Sequence, residues 1–74
     1  MIPNPDDPIP PLDVLWTIPL WPEPWAARAL DLTEDQIQAY RRKSGLPSAQ
    51  LGKHHYYLRE SVLLWFQQQE RQAP

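Results

Sequence analysis

Apolar positions keep helical spacing from Trp25 onward and keep no regular spacing before it. In "EPWAARAL", Pro24 suits a first helical position and the alanines favour helix, while Trp25, Ala29 and Leu32 share one face by i, i+4 and i, i+3 spacing. In "TEDQIQAYRRKSG", Thr33 is the expected N-cap and Gln36, three residues on, completes a capping box. Glu34 and Asp35 fall in the first turn, where the helix dipole favours negative charge. Ile37, Tyr40 and Arg41 lie on one side, and Gly45 stops the helix. Only Asp31 and Leu32 separate the two stretches, so a tight turn joins two short helices. In "LPSAQLGKHHYYLRE", Pro47 bars further helix, and extended pieces Ala49–Leu51 and His55–Leu58 flank a turn supplied by Gly52. Two strands alone are barely stable, so this hairpin must pack on the helices. A last helix, "RESVLLWFQQQERQ", has a stripe of Val62, Trp65 and Phe66. Leu63 and Leu64 exceed what one core face needs, which predicts that they cover the N-terminal part of the chain or a second subunit.

Before Trp25 the composition changes. Eight of the ten prolines lie in residues 1–24, which excludes helix and allows at most a short edge strand with extended coil. Met1–Pro11 is expected to be a mobile tail. "LDVLWTIPLW" is too apolar for a plain linker and predicts a strap against the domain, anchored by Trp16, Ile18 and Trp21. The division expected is therefore an acidic, Pro-rich extension, 1–22, partly ordered from about residue 12, and a folded domain, 23–74.

Charge follows the same division. The net charge is −2, but residues 1–24 carry Asp6, Asp7, Asp13 and Glu23 and no Lys or Arg, giving −4. Residues 25–74 carry all seven basic residues against five acids, giving +2. Seventy-four residues make one domain at most, burying roughly 60% of the unfolded surface. The chain has no cysteine, hence no disulfide and no thiolate ligand or nucleophile. No apolar run reaches the roughly 18 residues of a membrane span, and the signal-peptide order of charge then apolar run is missing. A soluble protein of the cytoplasm is the expectation, without a membrane partner.

His54 and His55 are the natural candidates for chemistry. A metal site needs three or four convergent ligands, yet adjacent strand residues point to opposite faces, and no cysteine or HxxxH spacing supports them. There is no Gly-rich phosphate loop, nucleophile elbow or acid pair flanking a buried histidine. No enzyme activity, metal, cofactor or small-molecule substrate is expected.

The order helix–turn–helix–hairpin–helix, with "AARALDLTEDQIQAYRRKSGLP" followed by "AQLGKHHYYLRESVLLWF", resembles the excisionase/AlpA-like proteins of phages and prophages. These belong to the MerR-like winged helix-turn-helix group. The likeness covers about 42 of the 74 residues, Trp25 to Phe66. It is carried by the capped second helix, the "GLP" exit, the "LGK" turn, the aromatic strand and the "SVLLWF" helix. It implies a mainly α fold with a small β-hairpin, three helices plus wing. It also implies that the helix from Thr33 to Ser44 enters a DNA major groove with Glu34, Asp35, Gln38, Ala39 and Arg42 toward base edges and Lys43 near phosphates. Gln38 suits adenine and Arg42 guanine, while Lys53, His54 and His55 form a wing on the DNA backbone or minor groove. Double-stranded DNA is then the partner, a phage integrase the implied protein partner, and self-association on arrayed sites the means of bending DNA for excision or transcription control. Glu34 and Asp35 depart from the pattern, since many relatives carry small or basic residues there. Two alternatives stay open: a protein-interaction module (inhibitor or adaptor), and a DNA-packaging domain like that of terminase small subunits, which share the fold.

Overall fold

The computed structural model describes residues 2–72, with side chains up to residue 69. It contains, in order, α1 (Leu12–Leu15), β1 (Leu20–Pro22), α2 (Glu23–Ala29), α3 (Glu34–Lys43), β2 (Ala49–Leu51), β3 (His54–Leu58) and α4 (Arg59–Gln72). The fold is a mixture of helix with a small three-stranded antiparallel sheet of order β1-β3-β2.

The sheet departs from the two-stranded hairpin expected of the sequence. β1 pairs with β3 in the register Leu20↔Leu58, Trp21↔Tyr57 and Pro22↔Tyr56. A border strand tolerates Pro22, because the missing N–H faces away from the ladder. On the other side Ala49, Gln50 and Leu51 face Tyr56, His55 and His54. β3 thus begins at His54, leaving Gly52-Lys53 as a two-residue loop. Gly52 has φ +65° and Lys53 has no positive φ, the pattern of a turn with glycine at its first central position.

The apolar segment expected to strap the domain from about residue 12 lies in the core. Leu15 and Trp21 are completely buried in the same core as Trp25, Ala26, Ala27, Ile37, Leu46, Tyr57 and Val62. Residues 12–22 pack with the folded body, and the helical turn Leu12–Leu15 overturns the expectation that the prolines exclude helix, since Pro11 only precedes it. Trp21 donates its indole N–H to the Leu15 carbonyl at 2.9 Å, so its burial strands no polar group. Trp16 meets the Trp21 ring edge-on at 5.1 Å between centroids, and Ile18 packs against the core as well. Arg59 fixes this segment to the start of α4: its amide donates to the Pro19 carbonyl at 2.9 Å and its guanidinium to the Trp16 carbonyl at 2.6 Å. The charged donor makes the second bond a strong one.

The turn between α2 and α3 is set by backbone geometry that no glycine advertises. Asp31 takes φ 57°, its N–H reaches the Arg28 carbonyl at 3.3 Å, and the Leu32 N–H reaches Ala27 at 2.8 Å. That is a Schellman ending with aspartate in the left-handed position. At the start of α3 the capping box forms as the sequence predicts, with the Gln36 amide donating to Thr33 Oγ1 at 3.1 Å and the Thr33 amide to Gln36 Oε1 at 2.9 Å. Gly45, φ +76°, follows the end of α3 and lets Leu46 turn back into the core.

Tyr56 and Tyr57 lie on opposite faces of β3, and both are buried. Tyr57 joins the core with Trp21, beneath the helices, whereas Tyr56 faces the other side of the sheet. Along α4, Val62 is buried, and Trp65 and Phe66 stack edge-on with each other and with Tyr40 of α3. Leu63 and Leu64 remain 38% and 56% exposed, so the N-terminal part of the chain does not cover them.

Candidate nucleic-acid interface

The three consecutive cations of α3 are separated by helical phase. Successive residues turn roughly 100° about the axis, so Arg41 stays with Ile37 on the inner side while Arg42 swings outward. Arg41 donates through Nε to Glu23 Oε2 at 3.2 Å and to the Tyr57 hydroxyl at 3.2 Å, and that hydroxyl donates to the same Glu23 oxygen at 2.7 Å. One carboxylate from α2, one guanidinium from α3 and one phenol from β3 thus close a half-buried triangle. Burial pushes the Tyr57 hydroxyl well above its ordinary range. The hydrogen bond and charge of Glu23 act in the same direction, and Arg41 opposes them. This triangle fixes the angle between α3 and β3. Arg41 is therefore committed to the fold.

The outer side of α3 is different. Asp35, Ala39, Arg42 and Lys43 are exposed, as are Thr33 and Glu34, while Gln38 is half-buried. Among the described residues, Arg42 and Lys43 meet no carboxylate, since Arg41–Glu23 is the one ion pair there. Thr33 is exposed, yet its hydroxyl and amide are both engaged in the cap.

On the hairpin, Lys53 and His54 are exposed and His55 is half-buried. Strand alternation sends His54 to the outer face of the sheet with Tyr56, and His55 to the inner face with Tyr57. The His55 Nδ1 atom is enclosed and has no hydrogen-bond partner. Among the described residues no three His, Asp or Glu side chains are arranged to hold a metal ion.

Helix and hairpin come together at one cleft of about 240 Å³, lined by Pro5, Asp6, Glu23, Pro24, Glu34, Lys53, His54 and His55. The start of α3 and the tip of the hairpin therefore face the same side of the molecule. A second groove, about 290 Å³, runs along the opposite flank of α3 between Leu32, Gln36, Ala39, Tyr40, Lys43 and Ser44. Of the residues that the sequence proposes for contact, Glu34, Lys53, His54 and His55 meet at the first cleft. Asp35 and Arg42 are exposed and line neither, and Ala39 and Lys43 line the groove.

Two participants were not expected here. Glu23 counts in the sequence only as one more acid of the extension, and its pairing with Arg41 has no local signal. Pro5 and Asp6 belong to the segment expected to be a mobile tail. Their place beside Lys53 depends on contacts distant along the chain. The charge asymmetry was the available hint.

Comparison of the chain with protein-family models, with curated proteins and with solved structures gives no match. No helix among the described residues is long and apolar enough to cross a membrane.

Proposed function

We propose that this protein binds double-stranded DNA as a winged helix-turn-helix, with α3 as the recognition helix and the β2–β3 turn as the wing. The observation that carries this reading is the shared cleft. It puts Glu34 at the start of α3 and Lys53–His55 at the hairpin tip on one side of the molecule, and Asp35 and Arg42 are exposed on the same helix. An α-helix fills a B-DNA major groove, and a projecting hairpin beside it reaches the adjoining backbone. Gln38 and Arg42 then read base edges, Lys43 and Lys53 contact phosphates, and the exposed His54 donates to a phosphate oxygen. Glu34 and Asp35 repel phosphate and suit only cytosine amino groups, which makes the helix selective as well as weak. The role that fits best is that of an excisionase-like protein of a phage or prophage. It performs no chemistry, occupies neighbouring sites cooperatively, and bends DNA for an integrase or a promoter. A bend costs a few kcal/mol, which contacts between adjacent copies offset.

The test is a titration of the full chain against duplex DNA over a range of salt. Neutralisation of phosphates by Arg42, Lys43 and Lys53 gives a log–log salt slope of about −2.7. Arg42→Ala with Lys53→Ala lowers that slope to about −0.9 and removes most of the affinity. Absence of binding at every salt concentration sinks the proposal. The second reading, a protein-interaction module, draws on the groove lined by Leu32, Ala39 and Tyr40 and on the acids at the start of α3. Unaltered capture of a protein partner by the double variant would favour it.

A further inference from the structure

The outer face of the sheet raises a question that its helices do not answer. The helices pack on the Trp21–Tyr57 side, so Tyr56, pointing the opposite way, ought to be open to solvent. It is only 7% exposed. Residues Ile2, Pro3, Asn4, Pro5 and Asp6 run past this face and line, with Leu51, His54 and Tyr56, a wide-open cleft of about 510 Å³. A turn closes there: the Asp6 amide donates to Asn4 Oδ1 and the Asp7 amide to the Asn4 carbonyl, each at 3.0 Å. Within that turn, its central residues Pro5 and Asp6 also line the neighbouring cleft that holds Glu34 and the tip residues Lys53–His55.

We infer that residues 2–7 mask the wing in the free protein and are displaced when DNA arrives. This rests on the DNA-binding reading above. Three observations combine to support it. Asp6 brings negative charge beside Lys53 and His54, the groups assigned to phosphate. The segment lies over β2–β3, so a duplex contacting the wing competes for the same surface. Its hold is also weak by construction. No hydrogen bond joins residues 2–7 to the hairpin among the described residues, and Pro3 and Pro5 have no N–H to offer. An occupant held by shape and diffuse charge leaves readily when a polyanion competes. The apparent affinity for DNA is then the intrinsic affinity reduced by the fraction of molecules whose wing is uncovered.

The absence of cysteine gives a clean test, because one introduced thiol labels a single position. A nitroxide on Ile2→Cys in the full chain, a position that lines the same cleft and leaves the Asn4 turn intact, should broaden the amide resonances of Leu51, His54 and Tyr56, and duplex DNA in excess should restore them. In the unlabelled chain, Asp6→Asn with Asp7→Asn should raise DNA affinity about three- to tenfold. Asp13→Asn with Glu60→Gln is the control, since it removes the same charge from exposed positions outside both clefts and should raise affinity less than about twofold. Resonances that are sharp in the free chain overturn the mask. So do resonances still broad with DNA bound, or equal gains from the two double variants. Those results leave DNA binding intact, whereas failure of all three unlabelled proteins to bind duplex DNA at low salt removes the functional reading, and displacement by DNA falls with it.

Discussion

Arg41 and Arg42 are neighbours in the chain and belong to different regions of the molecule. The first is gripped by Glu23 and Tyr57 at the junction of α2, α3 and β3, while the second extends into solvent beside the cleft at the hairpin tip. The inner region is built from interlocking bonds that tolerate little change. The outer region is built from unpaired charge, exposed backbone turns and a loosely held proline segment. The contrast shows that a basic run cannot be counted as a unit: helical phase assigns one residue of "RRK" to the fold and leaves two exposed and unpaired. It also explains how a chain with net charge −2 can present a basic rim.

The comparison breaks most readily from the inside. Glu23→Ala leaves the Arg41 guanidinium and the Tyr57 hydroxyl half-buried without their common acceptor. It should cost about 3 kcal/mol of stability, measured by urea denaturation. In a domain of this size that is a large part of the total. The double variant with Arg41→Ala should cost less than the sum of the single changes, since the two residues share one network.

Tyr57→Phe is milder at neutral pH, about 1 kcal/mol, because it removes one hydrogen-bond donor and keeps the ring in the core. Its diagnostic effect is alkaline. The folded hydroxyl holds its proton to higher pH than the unfolded one, whose ordinary value is near 10, so the unfolded chain ionises first. The stabilisation is complete below about pH 10 and is lost as pH rises toward the folded value. Denaturation midpoints near pH 8 and near pH 11 should therefore diverge in the natural chain and converge in the phenylalanine variant.

Thr33→Ala sharpens the contrast at the border between the regions. It removes the acceptor for the Gln36 amide and should cost about 1 kcal/mol, read from the same denaturation curves. A larger loss of DNA affinity than of stability would mean that the start of α3 is held in its binding orientation by the cap. The smallest effect on stability belongs to the rim. Arg42→Ala with Lys43→Ala should move the denaturation midpoint by less than about 0.5 kcal/mol while flattening the salt dependence of DNA binding by roughly 2 in slope. Appreciable unfolding by this pair would show that the outer cations are structural after all.

What could be read from the sequence follows how local each signal is. The cap at Thr33, the stop at Gly45 and the turn at Gly52 are decided within a few residues, and each occurs where the pattern puts it. The opposed directions of His54 and His55 follow from strand alternation alone. The turn at Asp31 was legible as a gap between two helical patterns, but its left-handed backbone was not, because aspartate is an uncommon choice there. β1 was legible only as the short edge strand that the prolines allow, because three residues have no measurable alternation to place it. Trp21 was identified as an anchor, yet its partner Tyr57 lies far along the chain and could be found only in three dimensions. The same holds for Glu23 with Arg41 and for Asp6 beside Lys53. Long-range pairs of charges carry no spacing rule.

The layout of the sheet bears finally on how these molecules keep apart at high concentration. β3 is flanked on both sides, so any strand arriving from another copy must add at β1 or β2. At β1, Pro22 lacks the outward N–H that a newcomer needs, and the strand is only three residues long. β2 offers three residues, closed in by Pro47 on one side and by the bend at Gly52 on the other. Neither rim is long enough to template stacking into fibres. A Trp- and Tyr-rich chain of this length gains from that brevity a resistance to self-adhesion that its apolar content alone would not provide.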